Sequence, residues 1–484
     1  MFKLLSRASF VIGVVSIALL MALNWIRDLF GGVSFGQLLW NITNPIDGVD
    51  RAIIFSAVKC GVYFLGLAFI WFWLTLRIPR VEYRLDKSVG QKLGKRIVVS
   101  CTAFFFLISL GLGYYAAHKI NKQFSPKSAI MNLVTSESYT GKDYIAQLYS
   151  IPQNIEFSEK KNLVLIFGES LEGTFASDSL NLMPKLSALR KQGVYVPDMR
   201  NLDSTGWTIA AFTGWSLGLP LKTRFLEDLG NKAGGASGFL PHAASVFEIL
   251  KNEGYRLVFV MGSSAYFSGL NILLRTHGNF EIMDSHYWES MGWVMDDNIG
   301  LDWGFKDEFT FERAAEIYDV LKNSEQPFVL IVNTIDTHSP TGYRSPKFNR
   351  YCDIRDSFCY SDEVISKFIA TVMNKAPADP VLILGDHYLM GTYDFVKGKK
   401  RTIFNAFLGN IPKIPEEKTK QAISALDIAP SILQMVGAKW DNNQFGLGIS
   451  VFSEEPSLVQ KYGADELNRR LNAPSLFYQK LNDD

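Results

Sequence analysis

The sequence predicts an α/β domain with a mostly parallel central sheet, carried behind three membrane-spanning helices. Three observations lead there. Long, nearly uncharged stretches crowd the first 120 residues. Four short, continuous apolar runs recur between residues 162 and 384. Helical patterns stand between those runs, the alternation that builds a parallel sheet covered on both faces.

The membrane part comes first. The 484-residue chain is 48% hydrophobic and 13% aromatic, and the apolar excess sits at the front. Residues 8–26 carry no charge between Arg7 and Arg27, residues 53–76 are apolar apart from Lys59, and residues 97–117 are uncharged. Each run approaches or exceeds the roughly 20 residues that a helix needs to cross about 30 Å of hydrocarbon. A cleaved signal peptide fits poorly, because the first run lacks a small-x-small site and further spans follow it. Lys59 falls near one end of its helix, where a lysine snorkels.

Basic residues set the orientation. The loop "RIPRVEYRLDKSVGQKLGKR" holds seven Lys or Arg, whereas residues 27–51 hold only Arg27 and Arg51. The positive-inside bias therefore places the first loop outside and the second inside. Everything after His118 then lies on the far side of a bacterial inner (plasma) membrane, in the periplasm or outside the cell. A net charge of +1 argues against a nucleic-acid partner. Cys60 and Cys101 fall in the spans. Cys352 and Cys359 flank "CDIRDSFC" in the exported part, where an oxidising compartment can close them into a small disulfide loop.

The expected boundaries are a membrane domain at 1–118, a polar connector at 119–160, a catalytic domain at 161–453 and a peripheral tail at 454–484. Within the catalytic part the expected strands are "NLVLIF" (162–167), "YRLVFVM" (255–261), "PFVLIVN" (327–333) and "PVLIL" (380–384). Expected helices include "MPKLSALRKQG", with Pro184 early and Gly193 as a stop, "AASVFEILKNEG" and "FTFERAAEIYDVLKN".

Ligands of such sheets bind at the carboxyl ends of the strands. Glu169 and Ser170 follow the first strand, Asp336 and His338 the third, and Asp386 and His387 the fourth. Glutamate, aspartate and histidine together suit Zn²⁺ or Mn²⁺. Ser170 suggests instead a nucleophile elbow, Gly-x-Ser-x-Gly, but Glu172 stands where the second glycine belongs. Thr208 precedes an apolar helical run in "DSTGWTIAAFTGWSLGLPL". It reads either as a helix cap or as a nucleophile whose hydroxyl a cation acidifies. His118 reads as interfacial, and His242 and His286 as structural or surface residues.

The motifs "KNLVLIFGESLEGTF", "GWTIAAFTGWSLGLPL", "DWGFKDEF", "NTIDTHSP" and "LILGDHY" together resemble the membrane-anchored phosphoglycerol transferases, the kind that decorate osmoregulated periplasmic glucans. Lipoteichoic acid synthases and phosphoethanolamine transferases are more distant relatives, all within the alkaline phosphatase/sulfatase superfamily. The resemblance covers roughly residues 160 to 450. It implies Glu169, Asp386 and His387 as metal ligands, Thr208 as both ligand and nucleophile, and His338 as a pocket histidine assisting the attacking or leaving oxygen. It places His277, in a "LLRTHGNF" with an inserted Asn279, together with Trp303 and Asp307, around the substrate. The "VMGSSAYFSG" stretch departs from the His, Asp, Trp and Arg set that lipoteichoic acid synthases carry there, and leaves Ser263, Ser264 or Tyr266 as the candidates for contact with the donor head.

The implied activity is metal-dependent transfer of phosphoglycerol from phosphatidylglycerol to an envelope glycan through a phospho-threonine. The alternatives are phosphoethanolamine transfer and a catalytically silent, membrane-tethered scaffold. A sulfatase would need Cys or Ser in a Cys/Ser-x-Pro/Ala-x-Arg setting, which is absent around Thr208.

Overall fold

A computed structural model describes residues 2–43, 51–77, 91–124, 141–222, 238–296 and 298–482. Most of the basic loop (78–90) and the middle of the connector (125–140) lie outside the described residues. The chain forms two units, Met1–Phe35 with Asp50–Lys127, and Gly36–Val49 with Ser128–Asp484.

The first unit contains helices Phe2–Phe30, Arg51–Leu76 and Gln91–Phe124, each long and apolar enough to cross a membrane. They exceed the apolar windows because their polar flanks continue the helix. Small residues let them approach. Ser9 and Ser109 hydroxyls meet at 2.8 Å, and the Ser9 carbonyl accepts from Ser109 and from Trp71 Nε1 at 2.9 and 3.2 Å. A Cβ on Gly13 would collide with the Trp71 indole. Close backbones and interhelical hydrogen bonds are what hold helices together where lipid removes the hydrophobic drive.

The second unit is built on a six-stranded sheet: β1 (Leu163–Gly168), β2 (Arg256–Met261), β3 (Glu281–Met283), β4 (Phe328–Asn333), β5 (Val381–Gly385) and β6 (Asn405–Leu408). The spatial order is β6-β5-β1-β4-β2-β3, all parallel except the edge strand β6. All four expected strands are present, each within a residue of its expected bounds. Their unbroken hydrophobicity has a simple origin. Along β1, Leu163, Leu165 and Phe167 enter one core and Val164 and Ile166 the other, so both faces are buried. Helices Pro184–Gln192, Val246–Asn252 and Asp307–Lys322 form where their patterns place them.

Three expectations change. Residues 36–49 belong to the catalytic unit, not the membrane domain. The tail is not peripheral: helices Leu458–Tyr462, Ala464–Asn472 and Leu476–Lys480 bury Leu467, Leu471 and Tyr478, and the His242 amide donates to the Leu481 carbonyl at 3.1 Å. Its polar composition masks a four-residue leucine spacing that makes one apolar stripe. Finally, Cys352 and Cys359 are free thiols. Cys359 lies in helix Arg355–Lys375, while Cys352 Sγ turns to the Asn349 carbonyl at 3.5 Å. The Asp356 carboxylate fastens this loop instead, accepting from the Tyr351 and Cys352 amides at 3.0 and 2.7 Å.

His277 is a core residue, 1% exposed, whose Nε2 donates to the Phe239 carbonyl at 2.6 Å. Burial pushes its imidazole down to about 4 from 6.5. Below pH 6.5 the unfolded chain therefore binds a proton that the folded chain refuses, so stability should fall as pH drops from 6.5 to 4. The loss is on the order of 3 kcal/mol. Denaturant titrations across that range should show His277→Gln with a flatter profile than wild type.

Candidate metal centre and active site

The site begins where β1 and β5 end. Gly168 and Gly385 are register partners, and the Asp386 amide donates to the Gly168 carbonyl at 3.1 Å, so Glu169 and Asp386 leave the sheet side by side. Neither glycine can be replaced freely, because a Cβ on Gly168 would strike the Leu171 side chain and one on Gly385 the Leu171 carbonyl. Ser170 then turns with φ of 54°, in the left-handed region that costs a non-glycine residue energy. Its amide donates to Asp386 Oδ1 and its hydroxyl to Glu169 Oε1, each at 2.7 Å. The β4 end completes the cradle. Thr334 Oγ1 accepts from the Glu169 amide at 2.8 Å, and the Thr337 hydroxyl donates to the Glu169 carbonyl.

One atom each from Glu169, Asp386 and His387 lies within 4.8 Å of the others, and all three residues are buried. His387 Nδ1 donates to the Tyr388 carbonyl at 2.9 Å, which leaves Nε2 with its lone pair exposed to the cluster. That nitrogen sits 3.3 Å from Asp386 Oδ2 and 3.7 Å from Glu169 Oε1. Asp386 Oδ2 is buried without a hydrogen-bond partner. Lone pairs facing one another in a dry cavity need a cation or a proton between them. Two carboxylates and a neutral imidazole suit a divalent cation.

The electrostatics agree. Burial works to raise the Glu169 carboxyl, but His387, His338 and the Ser170 hydroxyl outweigh it and hold the group below its ordinary value. Burial, and then the Glu169 charge, push Asp386 up to about 7. Burial works to lower His387, yet Asp386 and Glu169 raise it. A shared proton is what this cluster attracts when nothing else neutralises it.

Thr208 is the first residue of helix Thr208–Leu217, and Trp207, in extended conformation, is the cap. The threonine hydroxyl is therefore not committed to capping. It is half-buried and reaches 3.5 Å from His387 Nε2. The helix behind it is buried all round, which explains its largely apolar sequence, and the Thr213 and Ser216 hydroxyls are satisfied by the Ile209 and Phe212 carbonyls, each at 2.7 Å.

His338 donates from Nδ1 to the Ser339 carbonyl at 2.6 Å, leaving Nε2 as an acceptor, and its ring packs against Trp303 at a 47° tilt with centroids 4.1 Å apart. Asp307 is not a surface contact. Its two oxygens accept from the Ile335 and Asp336 amides at 2.8 and 3.1 Å, so it clamps the turn that carries His338. Burial pushes Asp307 up to about 7, and burial plus Asp307 itself raises Asp336 well above its ordinary value. Ser264 Oγ lies 3.2 Å from His286 Nε2, which gives that histidine a partner the sequence does not suggest.

Thus Glu169, Thr208, Asp386 and His387 come together, with His338 close enough to act on the Glu169 charge and Trp303 packed against His338. His277 is held in the core. Ser170, Thr334 and Thr337 are positioning residues with no motif of their own in the sequence. Glu172 is a further one. It is buried, accepts from the Leu389 amide at 3.0 Å and pairs with Arg401, which fixes the loop after His387. The residue that breaks the nucleophile elbow is thus a support for the loop after His387.

Asp386→Asn keeps the shape and removes the charge. Elemental analysis should find the wild type carrying Zn or Mn and the variant depleted at least about tenfold, since a lost ligand costs more than the tenfold to hundredfold of a lost outer partner. Arg401→Ala strands the Glu172 carboxylate in the core. It should lower unfolding free energy by about 3–5 kcal/mol in denaturant titration.

Comparison with known proteins gives this arrangement its context. The Sulfatase family profile matches residues 161–438. Phosphoglycerol transferase I of Shigella flexneri is 32% identical over 337 residues, which is 67% of this chain and 43% of the relative, and the Escherichia coli SMS-3-5 protein of that name is 31% identical over 339 residues, again 67% and 43%. This chain thus spans less than half the length of those relatives. Among solved structures, the lipoteichoic acid synthase LtaP of Listeria monocytogenes overlaps 67% of this chain and 81% of its own at 14% identity and a TM-score of 0.48. The Streptococcus pyogenes phosphoglycerol transferase GacH, solved with sn-glycerol-1-phosphate, overlaps 72% and 91% at 14% identity and a TM-score of 0.43. With the profile spanning more than half of its residues, from β1 through β6 and beyond, the chain belongs to the sulfatase family.

Proposed function

We propose that this chain transfers phosphoglycerol from phosphatidylglycerol to a hydroxyl of an envelope glycan, through a covalent intermediate on Thr208. The observation that carries the reading is the placement of Thr208 Oγ1 at a helix N-terminus, 3.5 Å from His387 Nε2 and beside Glu169 and Asp386. Relatives named phosphoglycerol transferase I support it. The nucleophile's identity supports it too. A sulfatase oxidises Cys or Ser to an aldehyde, whereas a threonine, being a secondary alcohol, can give only a ketone.

Glu169, Asp386, His387 and Thr208 would hold the cation. A bound Zn²⁺ or Mn²⁺ acidifies a hydroxyl and offsets charge on phosphoryl oxygens. The chain's own groups do the rest. Thr208 Oγ1 attacks phosphorus, the bond to the diacylglycerol oxygen breaks, and diacylglycerol leaves with a proton. The glycan hydroxyl then attacks, the bond to Thr208 breaks, and the hydroxyl proton returns to Thr208. His338 Nε2, left free by the Nδ1 bond to Ser339, carries these protons. The first amides of helix Thr208–Leu217 favour the anionic phosphoryl group. A lipid donor explains the apolar helices, and the site faces the periplasm or cell exterior, where glycan acceptors lie.

Thr208→Ala should lower transfer of labelled phosphoglycerol from phosphatidylglycerol vesicles by at least about a thousandfold, the order expected for loss of a nucleophile. Transfer at the wild-type rate would exclude the threonine intermediate. Label appearing instead from phosphatidylethanolamine would reassign the head group, and turnover with neither lipid would favour a silent scaffold.

A further inference from the structure

Helix Phe35–Thr43 lies in the chain between the first two apolar helices, yet its residues 36–43 belong to the catalytic unit. Its contacts there are directional. Trp40, 6% exposed, donates from Nε1 to the Ser268 carbonyl at 3.1 Å and meets the Phe239 ring edge-on with centroids 5.9 Å apart. Ser268 Oγ returns a hydrogen bond to Asn41 Oδ1 at 3.3 Å. Gln37, also 6% exposed, places Nε2 3.6 Å from the Met390 sulfur.

These partners belong to the two walls of the active site. Met390 is three residues beyond the ligand His387, on the loop that Glu172 and Arg401 secure. Ser268 is in the left-handed region at φ of 54°, followed by Gly269 at 77°. A non-glycine residue held there requires its surroundings to over-determine it, and Trp40 and Asn41 bond both its carbonyl and its hydroxyl. The preceding residue, Phe267, meets Trp303 edge-on with centroids 5.7 Å apart, and Trp303 packs at a tilt against His338. A continuous chain of contacts therefore runs from Trp40 through the strained turn at Ser268 to Phe267, Trp303 and His338.

We infer that helix Phe35–Thr43 is a positioning strap for the active site. It fixes the Ser268 turn through Trp40 and Asn41, holds Trp303 against His338, and steadies the metal-ligand loop through Gln37. Trp40 touches no reacting atom and acts through Trp303. The loop between the first two apolar helices is thus a working part of the transferase and not only a connection. This rests on the transfer reaction proposed above, and its test has one arm that does not.

That arm is cross-linking. In the full-length protein in membranes, Asn41→Cys with Ser268→Cys should form a disulfide under mild oxidation, detected by mass spectrometry of the linked peptide. Absence of the cross-link in folded protein overturns the strap whatever reaction the protein catalyses. The second arm is a double-mutant cycle on phosphoglycerol transfer. Trp40→Ala and Trp303→Ala should each lower kcat by about tenfold to a hundredfold, the scale of a small misplacement. Together they should cost no more than Trp303→Ala alone, because the first acts through the second. Trp40→Phe, which keeps the ring edge on Phe239 but loses the Nε1 hydrogen bond to the Ser268 carbonyl, should recover little of the loss. Losses that multiply, or a Trp40→Ala loss explained by a lower yield of folded protein, overturn the inference. A wild-type protein that cross-links at these positions but transfers no phosphoglycerol would overturn the functional reading alone.

Discussion

The rest of the site depends on the close, in-register exit of β1 and β5 from the sheet. Gly168 and Gly385 sit opposite one another, and each is forbidden a side chain by Leu171. That closeness brings two carboxylates into one small, dry space, which electrostatics alone would oppose. The fold accepts this with an array of supports. Ser170 bridges the two carboxylates, Thr334 and Thr337 tie Glu169 to β4, and the Tyr388 carbonyl fixes the tautomer of His387. The dry surrounding makes every one of these interactions stronger, and makes the unpartnered Asp386 oxygen a candidate cation ligand.

Around that centre the molecule repeats one device, the use of a buried carboxylate to hold a loop. Asp307 clamps the turn bearing His338 through two amides, Glu172 holds the loop beyond His387 through Leu389 and Arg401, and Asp356 fastens the loop before helix Arg355–Lys375. Each accepts main-chain donors that would otherwise be stranded, and so converts the cost of burying a charge into a fixed loop geometry. Asp307 therefore acts from within the fold, on the turn that carries His338. Helix Phe35–Thr43 holds the Ser268 turn in a comparable way, with the Trp40 Nε1 donor and the Asn41 side-chain carbonyl in place of a carboxylate.

The layers of the protein follow from its solvent on each side. Three apolar helices meet through small residues and through Ser9, Ser109 and Trp71, because lipid supplies no hydrophobic drive. The catalytic unit, in water, buries both faces of its sheet under helices, and even its polar C-terminal segment contributes Leu467, Leu471 and Tyr478 to the core.

Much of this was legible in the residues alone. Continuous apolar runs reveal strands buried on both faces, and the positions just after them mark Glu169, His338, Asp386 and His387, because parallel sheets expose chemistry at their carboxyl ends. Length and hydropathy identify the three membrane helices. Pairwise facts were not legible. Only tertiary structure decides that Thr208 is a first helical residue with a spare hydroxyl, that His277 is a core histidine, that Cys352 and Cys359 stay apart, and that Glu172 supports a loop. It alone shows Trp40 packed into the catalytic unit. The physical reason is the same throughout. Periodicity and composition encode which residues are buried, whereas a site depends on which buried groups face one another across hundreds of residues, and that register exists only once the chain has closed.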